Sequence, residues 1–147
     1  MLRLSVAKAQ AAEIGAGGVA LGSDTAVVVD DTVLGKPRDR EDCLEMLGQL
    51  SGRAHRVLTG VALSDRQGTT TALSETDVYF REISRDEALA YWQSGEPRDK
   101  AGAYAIQGLG GAFVERIEGS YTGVVGLPVF ETIELLRAAG IDVLAKR

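Results

Sequence analysis

Apolar residues recur along this chain with two different periods, and the changes between them predict alternating strands and helices. The apolar run at residues 19–29 is rich in valine and alanine, which is typical of a strand inside a sheet. Apolar and polar residues alternate over residues 53–63 and again over 69–80, with the polar turn 64–68 between them. This pattern predicts an antiparallel hairpin. Residues 113–117 alternate in the same way and predict one more short strand.

Helical signals separate these strands. An alanine-rich segment predicts a first helix over residues 2–16, and Asp39 is placed to cap a second helix. The Ser-Arg-Asp-Glu sequence that begins at Ser84 is a capping box and predicts a third helix. Residues 118–125, with their two glycines, predict a loop, and Pro128 after them suits the first turn of a last helix. Because strands and helices are intermixed and one hairpin is present, the sequence predicts an α/β fold with a mixed sheet.

One acidic residue interrupts the first apolar strand. Asp24 lies in its middle, where a carboxylate is costly unless it meets a metal, a basic partner or hydrogen-bond donors. The polar residues 30–32 predict a tight turn, after which residues 34–37 run back beside the strand. This return brings Lys36 towards Asp24. A carboxylate and an ammonium group that meet in this way indicate a site that handles metal and phosphate.

Composition limits the classes of protein to which the chain belongs. Its 147 residues, 45% apolar and 25% charged, are typical of a single folded domain over residues 1–147. A net charge of -5 gives no broad basic surface, which argues against nucleic acid polymers and membrane surfaces as partners. No apolar run approaches the roughly 20 residues of a membrane span. Cys43 is the only cysteine and forms no internal disulfide, so we expect a cytoplasmic protein.

A glycine-rich segment, residues 98–111, has the composition of a binding loop. Within it, Asp99 and Lys100 are either a metal contact and a phosphate contact or an exposed local ion pair. Gln107 offers both a donor and an acceptor to a ligand. The only histidine, His55, lies among alternating strand residues and is more typical of a structural residue.

Short motifs along nearly the whole chain resemble, in order and spacing, the Maf family of nucleoside triphosphate pyrophosphatases. They are Ala-Lys-Ala at 7–9, Gly-Ser-Asp-Thr at 22–25, Leu-Gly-Lys-Pro at 34–37, the eleven residues 50–60, Gly-Glu-Pro at 95–97, Asp-Lys-Ala-Gly-Ala-Tyr at 99–104, Ile-Gln-Gly at 106–108, Gly-Ser-Tyr at 119–121 and Val-Gly-Leu-Pro at 125–128. Any one tetrapeptide is weak, but together in register they are specific.

The resemblance implies hydrolysis of a nucleoside triphosphate between its α- and β-phosphates, which yields the monophosphate and pyrophosphate. It also implies a fold similar to that of the inosine triphosphate pyrophosphatases, a mixed twisted sheet flanked by helices and divided into two lobes by a central cleft. A divalent cation, Mg or Mn, and a homodimer are implied as well. The Ile-Gln-Gly motif is similar to that of the branch acting on dTTP and UTP.

The same resemblance implies a role for each of five residues. These are a proton acceptor and metal ligand at Asp24, phosphate contacts at Lys8 and Lys36, and base-selecting contacts at Thr25 and Gln107. From the residues alone each has an ordinary alternative: a carboxylate that caps backbone amides, solvated surface lysines, a β-branched core residue and a loop amide bonded to its own backbone.

One part of the family pattern does not occur in residues 1–147. The resemblance places a strand and a loop of the form Ser-x-Ser-Pro-Arg-Arg, which cradles the triphosphate, ahead of these motifs. We therefore expect an N-terminally truncated Maf fold, whether as a truncated protein, a wrongly assigned start or a true deletion. A second hypothesis follows, namely a catalytically impaired Maf-like remnant that acts as a binding or regulatory protein in cell division.

Overall fold

Five strands form one sheet in the computed structural model, which describes residues 2–11 and 18–145. In chain order they are β1 (Ala20–Val29), β2 (Thr32–Leu34), β3 (Ala54–Asp65), β4 (Gly68–Phe80) and β5 (Val114–Glu118). Across the sheet the order is β2-β1-β3-β4-β5. The long apolar run of the sequence is therefore an internal strand, as predicted, because β1 has a neighbour on each side.

The α/β class is confirmed, but the sheet differs from the predicted mixed one, because all four pairings among the described strands are antiparallel. Two of the connections are hairpins, which account for two of the four pairings. Asp30 and Asp31 both have positive φ, 48° and 63°, and form a two-residue turn between β1 and β2. A second two-residue turn joins β3 to β4, whose register begins at Asp65 and Gly68. Such hairpins fix neighbouring strands in opposite directions.

Five helices accompany the sheet over the described ranges. They are α1 (Leu2–Ala11), α2 (Arg40–Leu50), α3 (Arg85–Gln93), α4 (Tyr121–Val125) and α5 (Val129–Ala138). The predicted caps are confirmed, since Asp39 accepts a hydrogen bond from Asp42 N and the Ser84–Glu87 capping box is complete. The remainder of the predicted first helix, residues 12–16, lies outside the described residues. None of the described helices combines the length and the apolar character needed to cross a bilayer.

The predicted loop at residues 98–111 contains turns of 3₁₀ helix, at Glu96–Asp99, Ala101–Ala103 and Leu109–Phe113. The segment 118–125, predicted as a loop, instead contains α4. Ser120 caps this short helix by accepting a hydrogen bond from Gly123 N. Both segments lie beside the sheet and contribute to the site described below.

The main apolar core lies on the face of the sheet that α2 and α3 cover. Its most deeply buried members include Leu47 and Leu50 of α2 and Val78 and Phe80 of β4. Cys43 is also fully buried there, and burial, followed by the charge of Asp42, raises the pKa of its thiol to about 11. The thiol is therefore protonated and unreactive, consistent with a structural residue.

Helix α1 packs directly on the opposite face of the sheet, where two glycines leave room for it. A Cβ at Gly22 would overlap the backbone carbonyl oxygen of Ser5. The Ser5 hydroxyl in turn donates a hydrogen bond of 2.8 Å to the carbonyl oxygen of Gly60 on β3. This close contact places Lys8, one turn further along α1, above Asp24.

Candidate active site

A cleft of about 240 Å³ opens where β1 meets the segment after α3 and the short helix α4. Four of the five residues predicted from the sequence line it, namely Asp24, Thr25, Lys36 and Gln107. The strand β1 supplies the first two, the residues after the β1–β2 hairpin supply the lysine, and a turn far along the chain supplies the glutamine. The structure thus brings these residues together, and their roles stay proposals.

Four charged residues line this cleft, and together we call them the charged rim: Asp24, Lys36, Asp99 and Lys100. The side chain of Asp24 is 22% exposed, whereas that of Asp99 is 74% exposed. Lys100 Nζ lies 3.2 Å from Asp99 Oδ1. This hydrogen bond, foremost, lowers the pKa of Asp99, and the charge of Lys36 adds to the effect. Asp99 and Lys100 therefore form the local ion pair considered above and also line the cleft.

Lys8 reaches the site through Asp24. Its Nζ atom donates a hydrogen bond of 3.1 Å to Asp24 Oδ1 and one of 3.0 Å to the carbonyl oxygen of Ser23. The side chain is 55% exposed. Since an ammonium group has three hydrogens, one donor remains for a further acceptor such as a phosphate oxygen.

Neutral residues also line the cleft, and we call four of them, Thr25, Tyr104, Ala105 and Gln107, the neutral wall. Tyr104 is buried, and its hydroxyl lies 2.7 Å from Nε2 of His55. Burial disfavours the imidazolium ion and, with the charge of Arg53, lowers the pKa of His55 to about 4. His55 is therefore neutral near pH 7 and supports the wall from beneath.

Gln107 lies in a tight turn of the neutral wall. The turn closes through a backbone hydrogen bond of 3.1 Å from Gly108 N to the carbonyl oxygen of Ala105. Ile106 and Gln107 are its two central residues, and the glutamine side chain is exposed. The geometry of this side chain therefore depends on what holds the two ends of the turn.

Both ends of the turn are held by Tyr91 and Glu96, a pair that we call the Tyr91–Glu96 clamp. Ala105 N donates a hydrogen bond of 3.1 Å to the Tyr91 hydroxyl, which itself donates to Glu96 Oε2. On the other side, Leu109 N and Gly110 N donate to the Glu96 carboxylate at 2.9 and 3.0 Å. One carboxylate thus fixes residues on both flanks of Gln107.

The glycine at the end of this turn is a spatial requirement of the clamp. A Cβ at Gly108 would overlap the Glu96 carboxylate. Partial burial acts to raise the pKa of Glu96, but the hydrogen bonds from Tyr91 and the backbone amides outweigh it, so the pKa is lowered. Glu96 is therefore an anion that accepts several hydrogen bonds at neutral pH.

Sequence reasoning missed the clamp and Thr59. The ring of Tyr91 lies in the core, and the partner of its hydroxyl was not predicted. A signal was present in the group of glycines at residues 108, 110 and 111, which shortly follow the acid of the Gly-Glu-Pro motif. Glycines so placed indicate a close approach of another group to the backbone.

A larger groove, about 640 Å³, lies between the β3–β4 turn and α5. It contains none of the predicted site residues, and its charged lining residues among those described are Asp65 and Arg66. The smaller cleft is the better candidate because it combines acids, lysines and polar side chains at one place.

Comparison with known proteins identifies the family of the chain. The model of the family described as Maf-like protein matches residues 1–139 of the chain. The match covers most of the 147 residues, and the chain belongs to the Maf family. The five-stranded sheet with its flanking helices is consistent with the Maf fold.

Several relatives have names that specify a reaction. A dTTP/UTP pyrophosphatase of Saccharophagus degradans is 58% identical over 123 residues, which is 84% of this chain and 59% of that protein. Proteins of the same name from Vibrio parahaemolyticus and Vibrio cholerae are 54% and 56% identical over 93% and 88% of the chain, and over 74% and 70% of their own lengths. The chain thus spans about three fifths of the first of these relatives.

Proposed function

We propose that the protein is a nucleoside triphosphate pyrophosphatase that hydrolyses dTTP and UTP to the monophosphate and pyrophosphate. The observation that carries this proposal is the cleft, which Asp24 and Lys36 line together with Thr25 and Gln107. An acid, a cation and neutral hydrogen-bonding groups are what a nucleotide with a reacting phosphate requires. The names of the relatives support the same reaction.

In the proposed reaction, Asp24 accepts a proton from a water molecule whose oxygen attacks the α-phosphorus. A new bond forms between that oxygen and phosphorus, and the bond from the α-phosphorus to the oxygen bridging to the β-phosphate breaks. The bridging oxygen departs with the pyrophosphate. Lys36 and the free donor of Lys8 offset the negative charge on the phosphate oxygens as the bond breaks.

The donor set of the cleft fits a divalent cation held jointly with the substrate. Within the described residues, no group of three or more His, Cys, Asp or Glu side chains forms a metal site by itself. Magnesium is, however, commonly bound by one or two carboxylates together with substrate phosphates. Asp24 and Asp99, which both line the cleft, supply such carboxylates. A bound Mg or Mn ion would supply Lewis-acid stabilisation of the phosphate charge.

Three further expectations stay predictions. They are the homodimer that the resemblance implies, and the cytoplasmic location and the single domain over residues 1–147 that the composition indicates. The alternative of a regulatory remnant stays a prediction too, and nothing among residues 2–11 and 18–145 favours it. Its distinguishing result would be a folded protein that releases no pyrophosphate from any nucleotide.

The first test measures pyrophosphate released from dTTP and UTP by the purified protein with magnesium or manganese. Asp24→Asn keeps the size of the side chain but removes the base, so we expect kcat to fall by about 100-fold or more. The matched control is Asp31→Asn, in the exposed turn after the same strand, where asparagine tolerates a positive φ. Release of orthophosphate, or an Asp24→Asn variant as active as the control, would contradict the mechanism.

A further inference from the structure

Three side-chain hydroxyls form a row across the centre of the sheet. Thr25 of β1 faces Thr59 of β3, and Thr59 faces Ser74 of β4. Thr59 is fully buried and Ser74 nearly so. The backbone of α4 lies over this row at Gly123, where a Cβ would overlap the Ser74 hydroxyl. The row is therefore closed to solvent beyond Thr25, which lines the cleft.

The directions of the hydrogen bonds in this row follow from one carbonyl group. Thr59 Oγ1 lies 2.6 Å from the carbonyl oxygen of Gly123, which only accepts, so the single hydroxyl hydrogen of Thr59 points at Gly123. Thr59 Oγ1 also lies 3.0 Å from Thr25 Oγ1. Because the hydrogen of Thr59 is already committed, the hydrogen in this second bond must come from Thr25.

The consequence lies at the cleft surface. With its hydrogen directed at Thr59, the Thr25 hydroxyl offers only lone pairs to a ligand. Uracil and thymine have a hydrogen on the ring nitrogen N3, between two carbonyl oxygens, whereas N3 of cytosine is itself an acceptor. An acceptor facing an acceptor leaves both without a partner. The donor group of the Gln107 amide, on the same wall, suits a neighbouring carbonyl oxygen of the base.

We propose that Thr59 is a positioning residue for base selection. Because the Thr25 hydroxyl donates its hydrogen to Thr59, it can only accept a hydrogen bond from the base. This arrangement favours pyrimidines with a hydrogen on N3 over cytosine. This inference rests on the proposed function, since it concerns the nucleotide bound in the same cleft. One matched against one mismatched hydrogen bond corresponds to about a tenfold preference in kcat/KM for UTP over CTP.

The test compares kcat/KM for UTP and CTP in two variants of the protein. Thr59→Val replaces the hydroxyl by a methyl group of similar size, which frees the Thr25 hydrogen to rotate towards the cleft. We expect the UTP/CTP ratio to fall about tenfold, close to unity. Thr59→Ser retains the hydroxyl and should keep the wild-type ratio. If Thr59 had a purely structural role, Thr59→Val would lower kcat/KM for UTP and CTP alike and leave their ratio unchanged. That result would overturn the proposal.

Two further results separate the possible failures. If the wild-type protein releases no pyrophosphate from UTP or dTTP, the proposed function itself fails. If it releases pyrophosphate from UTP and CTP with equal efficiency, the function stands and the role of Thr59 is wrong. Should Thr59→Val not fold in a thermal denaturation experiment, Thr25→Val provides the second test. It removes the acceptor, so the UTP/CTP ratio should fall, and an unchanged ratio would again overturn the proposal.

Discussion

The charged rim and the neutral wall line the same cleft, but their side chains are held in place by different interactions. Two members of the rim, Asp99 and Lys36, are exposed, and the ion pair of Asp99 with Lys100 is in contact with solvent. Beneath the wall, His55, Thr59 and Tyr91 are at least 95% buried, and each is hydrogen-bonded to another group. The rim can therefore adjust to a ligand, whereas the wall is fixed before one arrives.

This difference suggests a division of labour within the cleft. Exposed charges attract phosphate and cation, but water and salt screen them, so they contribute little to geometry. Buried hydrogen bonds contribute direction, because a misplaced partner leaves a polar group unsatisfied in a poorly solvated place. In the proposed enzyme the rim would supply the chemistry of the phosphates, and the wall would choose the base.

Among substitutions beneath the neutral wall, Glu96→Ala is expected to have the largest effect on stability and on KM. This change leaves Leu109 N, Gly110 N and the Tyr91 hydroxyl without their acceptor, so the free energy of unfolding should fall by about 3 kcal/mol. The turn with Gln107 loses its anchor, and KM for UTP should rise more than kcat falls. Urea denaturation and steady-state kinetics measure the two effects.

Glu96→Gln is the matched control for this change. It keeps one acceptor oxygen at the same position, so it should lose less stability and retain a lower KM than the alanine variant. Equal KM values for the wild type and Glu96→Ala would show that the Tyr91–Glu96 clamp does not position Gln107.

A smaller effect on stability is expected from a change of pH, which protonates His55, the hydrogen-bond partner of Tyr104. The pKa of His55 is about 4 in the folded protein and about 6.5 in the unfolded chain, so between these values the unfolded chain binds more protons. The contribution of neutral His55 to the free energy of unfolding is fully present above pH 6.5 and is lost as the pH falls towards 4. From pH 7 to pH 5 the free energy of unfolding should decrease by about 2 kcal/mol.

Because His55 is the only histidine, a single substitution isolates this contribution. His55→Gln does not titrate, and its stability should change less between pH 7 and pH 5 in the same denaturation experiment. If the wild type and the variant lost stability in parallel, the pH dependence would belong to other groups, and His55 would titrate normally.

The smallest effect is expected at Lys36, an exposed cation of the rim. Lys36→Ala removes one exposed cation, which should raise KM for UTP about fivefold at low salt. Lys36→Arg keeps the charge and should remain near the wild-type value. Both differences should shrink in 0.5 M salt, where the screening length falls to about 4 Å. A loss that is independent of salt would indicate that Lys36 makes a fixed contact like those of the wall.

The sequence allowed much of the fold to be predicted, because the relevant signals are local. The apolar run of β1, the cap at Asp39 and the capping box at Ser84 each act within a few residues. Motif resemblance and the hairpin after β1 also pointed to the rim, where Asp24 and Lys36 are only 12 positions apart. The structure contains the strand and both caps, and it places Asp24 and Lys36 in one cleft.

The neutral wall was not predictable from the same signals, because its supports are distant in sequence. Thr25 is bonded to a residue 34 positions away, and Thr59 to Gly123, 64 positions away. Periodicity assigns a threonine to a strand but not to a hydrogen-bond partner. Helix α4 was missed for a related reason, since it is five residues long, contains a glycine and depends on packing against the sheet.

Gly22 illustrates how a residue without a side chain can influence chemistry. Helix α1 rests directly on its backbone, so Gly22 sets the height at which Lys8 stands above Asp24. The Gly-Ser-Asp-Thr motif therefore encodes a distance as well as an acid. Because the first residue of this motif has no side chain, α1 can approach β1 closely. A methyl group added there would move α1, and with it the Lys8 ammonium, away from the Asp24 carboxylate.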